Sequence, residues 1–77
     1  MTPILRTLDL LRAETITGEE TRIIDAALST AKVHQIPGSF TSDVLSYVDS
    51  QLLCNPVSQD VKDGLCRLQA ELRLRAG

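Results

Sequence analysis

Apolar side chains recur every three or four residues along this chain, and that spacing constrains the fold more than any other feature. The final stretch shows it most clearly, because its apolar residues follow the 4-3-4 pattern of a coiled-coil seam: Val61, Leu65, Leu68 and Leu72. Phe40 and Tyr47 are the only aromatic residues, and so few aromatic side chains argue against a sandwich or a barrel. The sequence therefore predicts an all-α fold.

Residues that begin and end helices divide the chain into four predicted helices. These run from about Pro3 to Glu14, from Thr17 to just before Ile36-Pro37-Gly38, from about Thr41 to Leu53, and from after Asn55-Pro56-Val57 nearly to the end. Thr2, Thr17, and Ser58 or Asn55 are the expected N-caps of three of them. Because the links are short, consecutive helices should pack antiparallel. We predict a compact bundle of three to four short antiparallel helices, one domain over residues 1–77.

Each predicted helix has an apolar stripe that we expect to be buried. In the first two helices the stripes are Ile4, Leu5, Leu8 and Leu11, then Ile23, Ile24, Ala27, Leu28 and Ala31. Thr17 and Glu20 have the spacing of a capping box. Gly64 is expected to mark a close helix contact, since glycine otherwise costs about 1 kcal/mol inside a helix. The last helix should carry the ion pairs Asp63–Arg67 and Glu71–Arg75.

The charge balance is mildly acidic, with ten acidic residues against eight basic ones and a net charge of −2. This balance argues against a dedicated nucleic-acid binder. No segment approaches the roughly 18 uninterrupted apolar residues of a membrane span, and no signal-peptide pattern is visible. We therefore expect a cytoplasmic protein without a membrane partner.

The reactive side chains do not form a catalytic or metal-binding pattern. His34 is the only histidine, and we expect it to complement the dipole at the end of the second helix. Glu19 and Glu20 are explained by helix capping. Cys54 and Cys66 should be separated by about 11 Å, too far for a disulfide, and we expect both to be buried or half-buried thiols. The sequence predicts a protein that is not an enzyme, with no catalytic residue, metal ligand or cofactor.

Two kinds of partner remain after catalysis is set aside. Leu10, Leu53 and Leu74 lie outside the predicted stripes, and together with Leu68 and Leu72 of the seam they form the predicted partner-binding set. This set favours a regulatory or adaptor protein that binds an unidentified protein, as a homodimer. A secretion-type chaperone or a phage-encoded inhibitor fits the same residues equally well.

The less favoured partner is nucleic acid. We do not expect the third helix to read a DNA sequence, because it contains two aspartates and neither lysine nor arginine. The bases gather instead in the fourth helix, where Arg67, Arg73 and Arg75 are the predicted nucleic-acid contacts. They would give weak, non-specific binding to phosphates, as in a DNA-associated transcriptional regulator.

In length and layout the chain resembles the small bacterial regulators of biofilm development and acid resistance, the AriR type. The resemblance covers about Thr17 to Leu72 and is carried by Glu19, Glu20, Ile24, Ala27 and Leu28, by the run Asp43-Val44-Leu45-Ser46-Tyr47-Val48, and by Asp60, Val61, Leu65, Leu68 and Leu72. The chain departs from that family at Ser46, Tyr47 and Ser50, where the family's third helix is more apolar. The resemblance implies a dimeric helical regulator that acts through protein partners and has no catalytic residue.

Overall fold

The computed structural model describes residues 3–54 and 57–76, and these fold into α-helices with short connections. The α-helices are α1 (Pro3–Leu11), α2 (Gly18–Thr30), α3 (Thr41–Cys54) and α4 (Gln59–Ala76). Two 3-10 turns, Val33–Gln35 and Gly38–Phe40, connect α2 to α3. No strand occurs within the described ranges. The prediction of an all-α bundle is confirmed.

The longest helix, α4, packs against both α2 and α3, while α1 packs against α2 and, less extensively, against α3. Arg67 of α4 contacts Ala31, and Arg75 near the end of α4 contacts Ile36. Since residue numbers rise together in these contacts, α4 runs in the same direction as the segment that follows α2. All four helices and the connecting segment contribute to one core, which consists of Ile4, Leu8, Ile24, Leu28, Ala31, Ile36, Val44, Val48, Leu65, Leu68 and Leu72.

The helix ends differ from the predicted ones at α1 and α2. α1 ends at Leu11 and not near Glu14, and α2 ends at Thr30, where Ala31 turns to an extended conformation with φ −72° and ψ 152°. The hydroxyls of Ser29 and Thr30 donate to carbonyls of the preceding turn, which favours a helix end. The predicted caps Thr2 and Asn55 lie outside the described residues.

The N-terminus of α2 forms as the sequence predicts. The hydroxyl of Thr17 accepts from the Glu20 backbone N–H at 3.2 Å, and the Glu20 carboxylate accepts from the Thr17 backbone N–H at 3.4 Å. This reciprocal arrangement is a capping box, which pairs N–H groups that a helix start would otherwise leave without partners. The predicted capping box is therefore confirmed.

The packing of α4 on α2 depends on a very close approach at Gly64. A Cβ atom placed on Gly64 would lie 2.2 Å from the carbonyl oxygen of Ser29 and 2.8 Å from its Cα. Neither atom belongs to a flexible side chain, so the backbones would have to separate to make room. The close contact that we expected at Gly64 is present, and it explains why a poor helix former stands inside α4.

Two predicted features of the helix surfaces are wrong. Leu5 and Ile23, which the apolar stripes placed in the core, are 46% and 54% exposed. In each case the adjacent apolar residue is buried instead, Ile4 before Leu5 and Ile24 after Ile23, because neighbouring helical positions point about 100° apart.

No helix in the described ranges combines the length and the apolar character that crossing a bilayer requires.

Substitution of Gly64 by alanine tests the close approach of the two helices. We expect Gly64→Ala to lower the free energy of unfolding by at least about 1 kcal/mol, because the cost of overpacking exceeds the gain of about 1 kcal/mol in helix propensity. Thermal and denaturant unfolding followed by circular dichroism measure the effect.

Gly18→Ala is the matched control, because a Cβ atom at Gly18 meets nothing within 4 Å. This variant should unfold at the wild-type temperature or slightly above it. Equal stability of Gly64→Ala and wild type would contradict the close packing of α4 on Ser29.

Candidate functional site

The predicted partner-binding leucines are divided between the surface and the core. Leu53, in the last turn of α3, is 84% exposed, and Leu74, in the last turn of α4, is 83% exposed. Leu10 is half-buried and packs against the core. Leu68 and Leu72 are 0% exposed, because they fill the space between α4 and the other helices. The surface available to a partner therefore excludes Leu68 and Leu72, and this corrects the predicted set.

Leu5 and Ile23 are exposed apolar residues that the sequence analysis missed. Both stand beside a fully or nearly fully buried residue, Ile4 in α1 and Ile24 in α2. Where two apolar residues are consecutive, periodicity alone does not decide which one faces the core. The signal that could have decided is the spacing of the neighbours, since Ile24 precedes Leu28 by four residues and Ile4 precedes Leu8 by four.

Two of the three arginines predicted to contact nucleic acid bind backbone carbonyls within the chain. Arg67 donates to the carbonyls of Ser29 at 3.2 Å and Ala31 at 3.0 Å, at the end of α2. Arg75 donates to the carbonyls of Val33, at 2.9 Å, and Ile36. The last carbonyls of a helix have no partner inside it, so Arg67 supplies donors to acceptors at the end of α2. The Val33 carbonyl that Arg75 contacts also accepts from the Ile36 backbone N–H at 3.1 Å.

The ion pairs of α4 also differ from the predicted ones. Arg67 pairs with Glu71 at 3.7 Å, and the Asp63 carboxylate instead accepts from the side-chain amide of Gln59 at 2.8 Å. Arg73 lies 3.3 Å from Asp49 of α3, which also accepts from Gln69. The predicted pairs are wrong because Arg67 and Arg75 instead donate to backbone carbonyls at the end of α2 and in the segment after it.

A buried polar cluster joins α2 to α3. The carboxylate of Asp25 accepts from the Tyr47 hydroxyl at 2.7 Å and from the side-chain amide of Gln51 at 2.9 Å. Asp25 is 8% exposed and Gln51 is 4% exposed. A carboxylate removed from water needs such donors, and a hydrogen bond to a charged group contributes about 1.5–3 kcal/mol. The cluster therefore fixes how α3 lies beside α2.

Burial and the neighbouring carboxylate change the acidity of Tyr47. Removal from water raises the pKa of the Tyr47 hydroxyl well above its ordinary value of 10.0, and its hydrogen bond to Asp25 and the negative charge of Asp25 raise the pKa further. The hydroxyl stays protonated and acts as a donor. Sequence analysis missed this cluster, since Asp25 lies at the edge of the α2 stripe and its acceptor role depends on residues of another helix.

The remaining candidate groups, His34, Cys54 and Cys66, lie at exposed positions. His34 lies in the 3-10 turn after α2, exposed, and not in the helix end where we expected it. Cys54 and Cys66 are free and exposed, so the prediction of buried or half-buried thiols is wrong. Within residues 3–54 and 57–76, no group of three or more histidine, cysteine, aspartate or glutamate side chains is arranged to hold a metal ion.

Two clefts on the described surface are open to solvent. One lies between the end of α1 and α3, where Arg12 pairs with Asp43 at 2.8 Å and its guanidinium lies 3.7 Å from the centre of the Phe40 ring. Another lies between α2 and the beginning of α4 and is lined by residues that include Arg22, Asp25, Val57 and Val61. Neither encloses a small molecule on most sides, as an enzyme pocket usually does.

Because the chain has one tyrosine and no tryptophan, the ionisation of Tyr47 can be followed directly by tyrosinate absorbance. The folded chain should keep its hydroxyl proton at a pH where the unfolded chain releases it, since the pKa is raised in the fold. The corresponding stability is fully present below about pH 10 and falls as the pH rises above that value.

We expect Asp25→Asn to lower the pKa of folded Tyr47, and Asp49→Asn, which removes a carboxylate elsewhere, to leave it unchanged. If Tyr47 ionises at its ordinary pKa while circular dichroism shows that the chain is still folded, the buried cluster is contradicted.

Comparison with known proteins assigns no function to these residues. The resemblance to the biofilm and acid-resistance regulators stays a prediction from residue spacing. Comparison of the chain with protein-family models, with curated proteins and with solved structures found no match.

Proposed function

We propose that this chain is a non-enzymatic regulatory or adaptor protein that binds a partner protein through apolar residues on its helix surfaces, as a homodimer. The observation that carries the proposal is the exposure of Leu53 and Leu74, at 84% and 83%, beside a core that other residues already fill. Full burial of one leucine contributes about 1.5–3 kcal/mol. Two such side chains supply a useful part of the free energy of a protein complex.

The two leucines mark separate places on the surface. α3 ends at Cys54 and α4 begins only five residues later, at Gln59, so Leu53 lies near the beginning of α4. Leu74 lies in the last turn of α4, a helix of 18 residues and about 27 Å. A partner that covers both must be extended, or each leucine must bind a different surface, as in a dimer that also binds a second protein.

The alternative of a DNA-associated regulator has less support. Arg67 and Arg75 are occupied by backbone carbonyls, and Arg73 lies beside Asp49. Binding of phosphates would have to compete with these contacts. The family resemblance favours the same class of function as the exposed leucines, a dimeric regulator acting through protein partners.

Replacement of both leucines by glutamate tests the proposal. We expect Leu53→Glu with Leu74→Glu to abolish dimerisation or partner binding without unfolding the chain, because both side chains are exposed. Sedimentation equilibrium gives the molar mass of each variant. Quantitative affinity purification from the native host compares the proteins that each variant retains.

The control is Ser42→Glu with Ser50→Glu, which adds two carboxylates at exposed positions of α3 and should behave as wild type. A wild-type chain that stays monomeric at all concentrations would contradict the homodimer. The same retained proteins for the leucine double variant and for the serine control would contradict binding through Leu53 and Leu74.

A further inference from the structure

The connection between α2 and α3 is anchored in the core by one side chain. Within residues 32–40, which we call the strap, Ile36 is buried at 0% exposure, and every other residue is exposed or half-buried. A segment with so few buried apolar contacts opens at a lower free energy than the core helices do, because little apolar surface returns to water. Ile36 nevertheless makes the strap a part of the core, so opening of the strap changes what the core buries.

The backbone hydrogen bonds of the strap are local. They close its two 3-10 turns and join residues three positions apart, from Gln35 to Lys32, from Ile36 to Val33, and from Phe40 to Pro37. The side-chain oxygen of Gln35 also accepts from the Lys32 backbone N–H at 2.9 Å. Bonds of this kind stiffen the strap from within, and they do not tie it to a helix.

Two arginines from outside the strap join it to the bundle, one near each of its ends. Arg75, in the last turn of α4, donates to the carbonyl of Val33 at 2.9 Å. Arg12, which directly follows α1, donates to the carbonyl of Ser39 at 2.7 Å, and its guanidinium lies 3.7 Å from the centre of the Phe40 ring. Both arginines are exposed, so water competes with their contacts to the strap.

The two ends of the strap are held in the bundle independently of the strap itself. Before it, Ala31 is 4% exposed, and its carbonyl accepts from Arg67 at 3.0 Å. The close contact between Gly64 and Ser29 also precedes the strap. After it, α3 begins directly and buries Val44 at 0% exposure. Because these contacts lie on either side of the strap, it can leave the core without separating α2, α3 and α4.

We propose that the strap opens as one unit while the four helices stay packed, and that Arg12 and Arg75 set the fraction of chains in which it is open. Opening withdraws Ile36 from the core and exposes an apolar side chain that the closed chain keeps from water. This inference goes beyond the proposed function, because it does not depend on Leu53 or Leu74. The connection between α1 and α2 is not a second strap, since residues 12–17, all of them described, contain no buried residue.

Amide hydrogen exchange of the full chain, followed by NMR, tests the proposal. The amides of Ile36 and Phe40, which donate within the strap, should exchange with one common opening free energy. That free energy should be lower than the value for Leu28 in α2 and Leu68 in α4, which are both 0% exposed. Low concentrations of urea should hardly speed exchange in the strap, because its opening exposes little surface, and should strongly speed exchange in the two helices.

Arg75→Ala should raise the opening constant of the strap about threefold to tenfold, because the closed state loses hydrogen bonds that the open state does not make. Arg73→Ala is the matched control, since Arg73 lies in the same last turn of α4 but contacts Asp49 of α3. This control should leave exchange in the strap as in wild type. Because both arginines are exposed, both variants should stay folded, which circular dichroism checks.

Arg12→Ala tests whether the strap moves as one unit. Arg12 contacts the strap near Phe40, so opening as a unit requires that the variant speeds exchange at Ile36 by the same factor as at Phe40. Faster exchange at Phe40 alone would overturn the proposal, because the two halves of the strap would then open separately. So would strap amides that exchange only together with the helices, or an equal effect of Arg75→Ala and Arg73→Ala on the strap.

Discussion

The close packing of α4 on the end of α2 is the interaction on which the rest of this structure depends. Without a Cβ atom at Gly64, the two backbones meet at Ser29, and the approach brings Leu65, Leu68 and Leu72 into the core at 0% exposure. A chain of 77 residues has little interior, and one helix that contacts two others lets that small interior exclude water. The helix whose apolar spacing resembles a coiled-coil seam thus packs inside a single chain.

The arginines of α4 follow from the same packing. Once α4 lies along α2 and the segment after it, Arg67 and Arg75 reach backbone carbonyls at the end of α2 and in that segment. From the sequence alone, these basic residues suggest contact with nucleic acid. In the structure they hold the connection between α2 and α3 in place. Charge near a helix terminus also serves stability, through the helix dipole. Function is better supported by the apolar residues that the fold leaves outside, Leu53 and Leu74.

Sequence reasoning recovers the local features and misses those that depend on distant residues. The capping box of Thr17 and Glu20 was predictable because both partners lie within one turn, and so was the role of Gly64 as a contact point. The exposure of Ile23 was not predicted, because the apolar stripe of a helix is wide enough to include two consecutive residues although they point about 100° apart. The burial of Asp25 was not predictable either, because its hydrogen-bond donors belong to α3 and no sequence pattern within α2 indicates them.

The central claim is that Leu65, Leu68 and Leu72 form the core of a single chain and not a seam between two chains. Amide hydrogen exchange of α4, measured over a range of protein concentrations that extends well below any dimer dissociation constant, tests it most directly. The account predicts that the amides of these residues remain among the slowest to exchange at every concentration. Rapid exchange throughout α4 in the dilute chain, with protection returning only as copies associate, would contradict it.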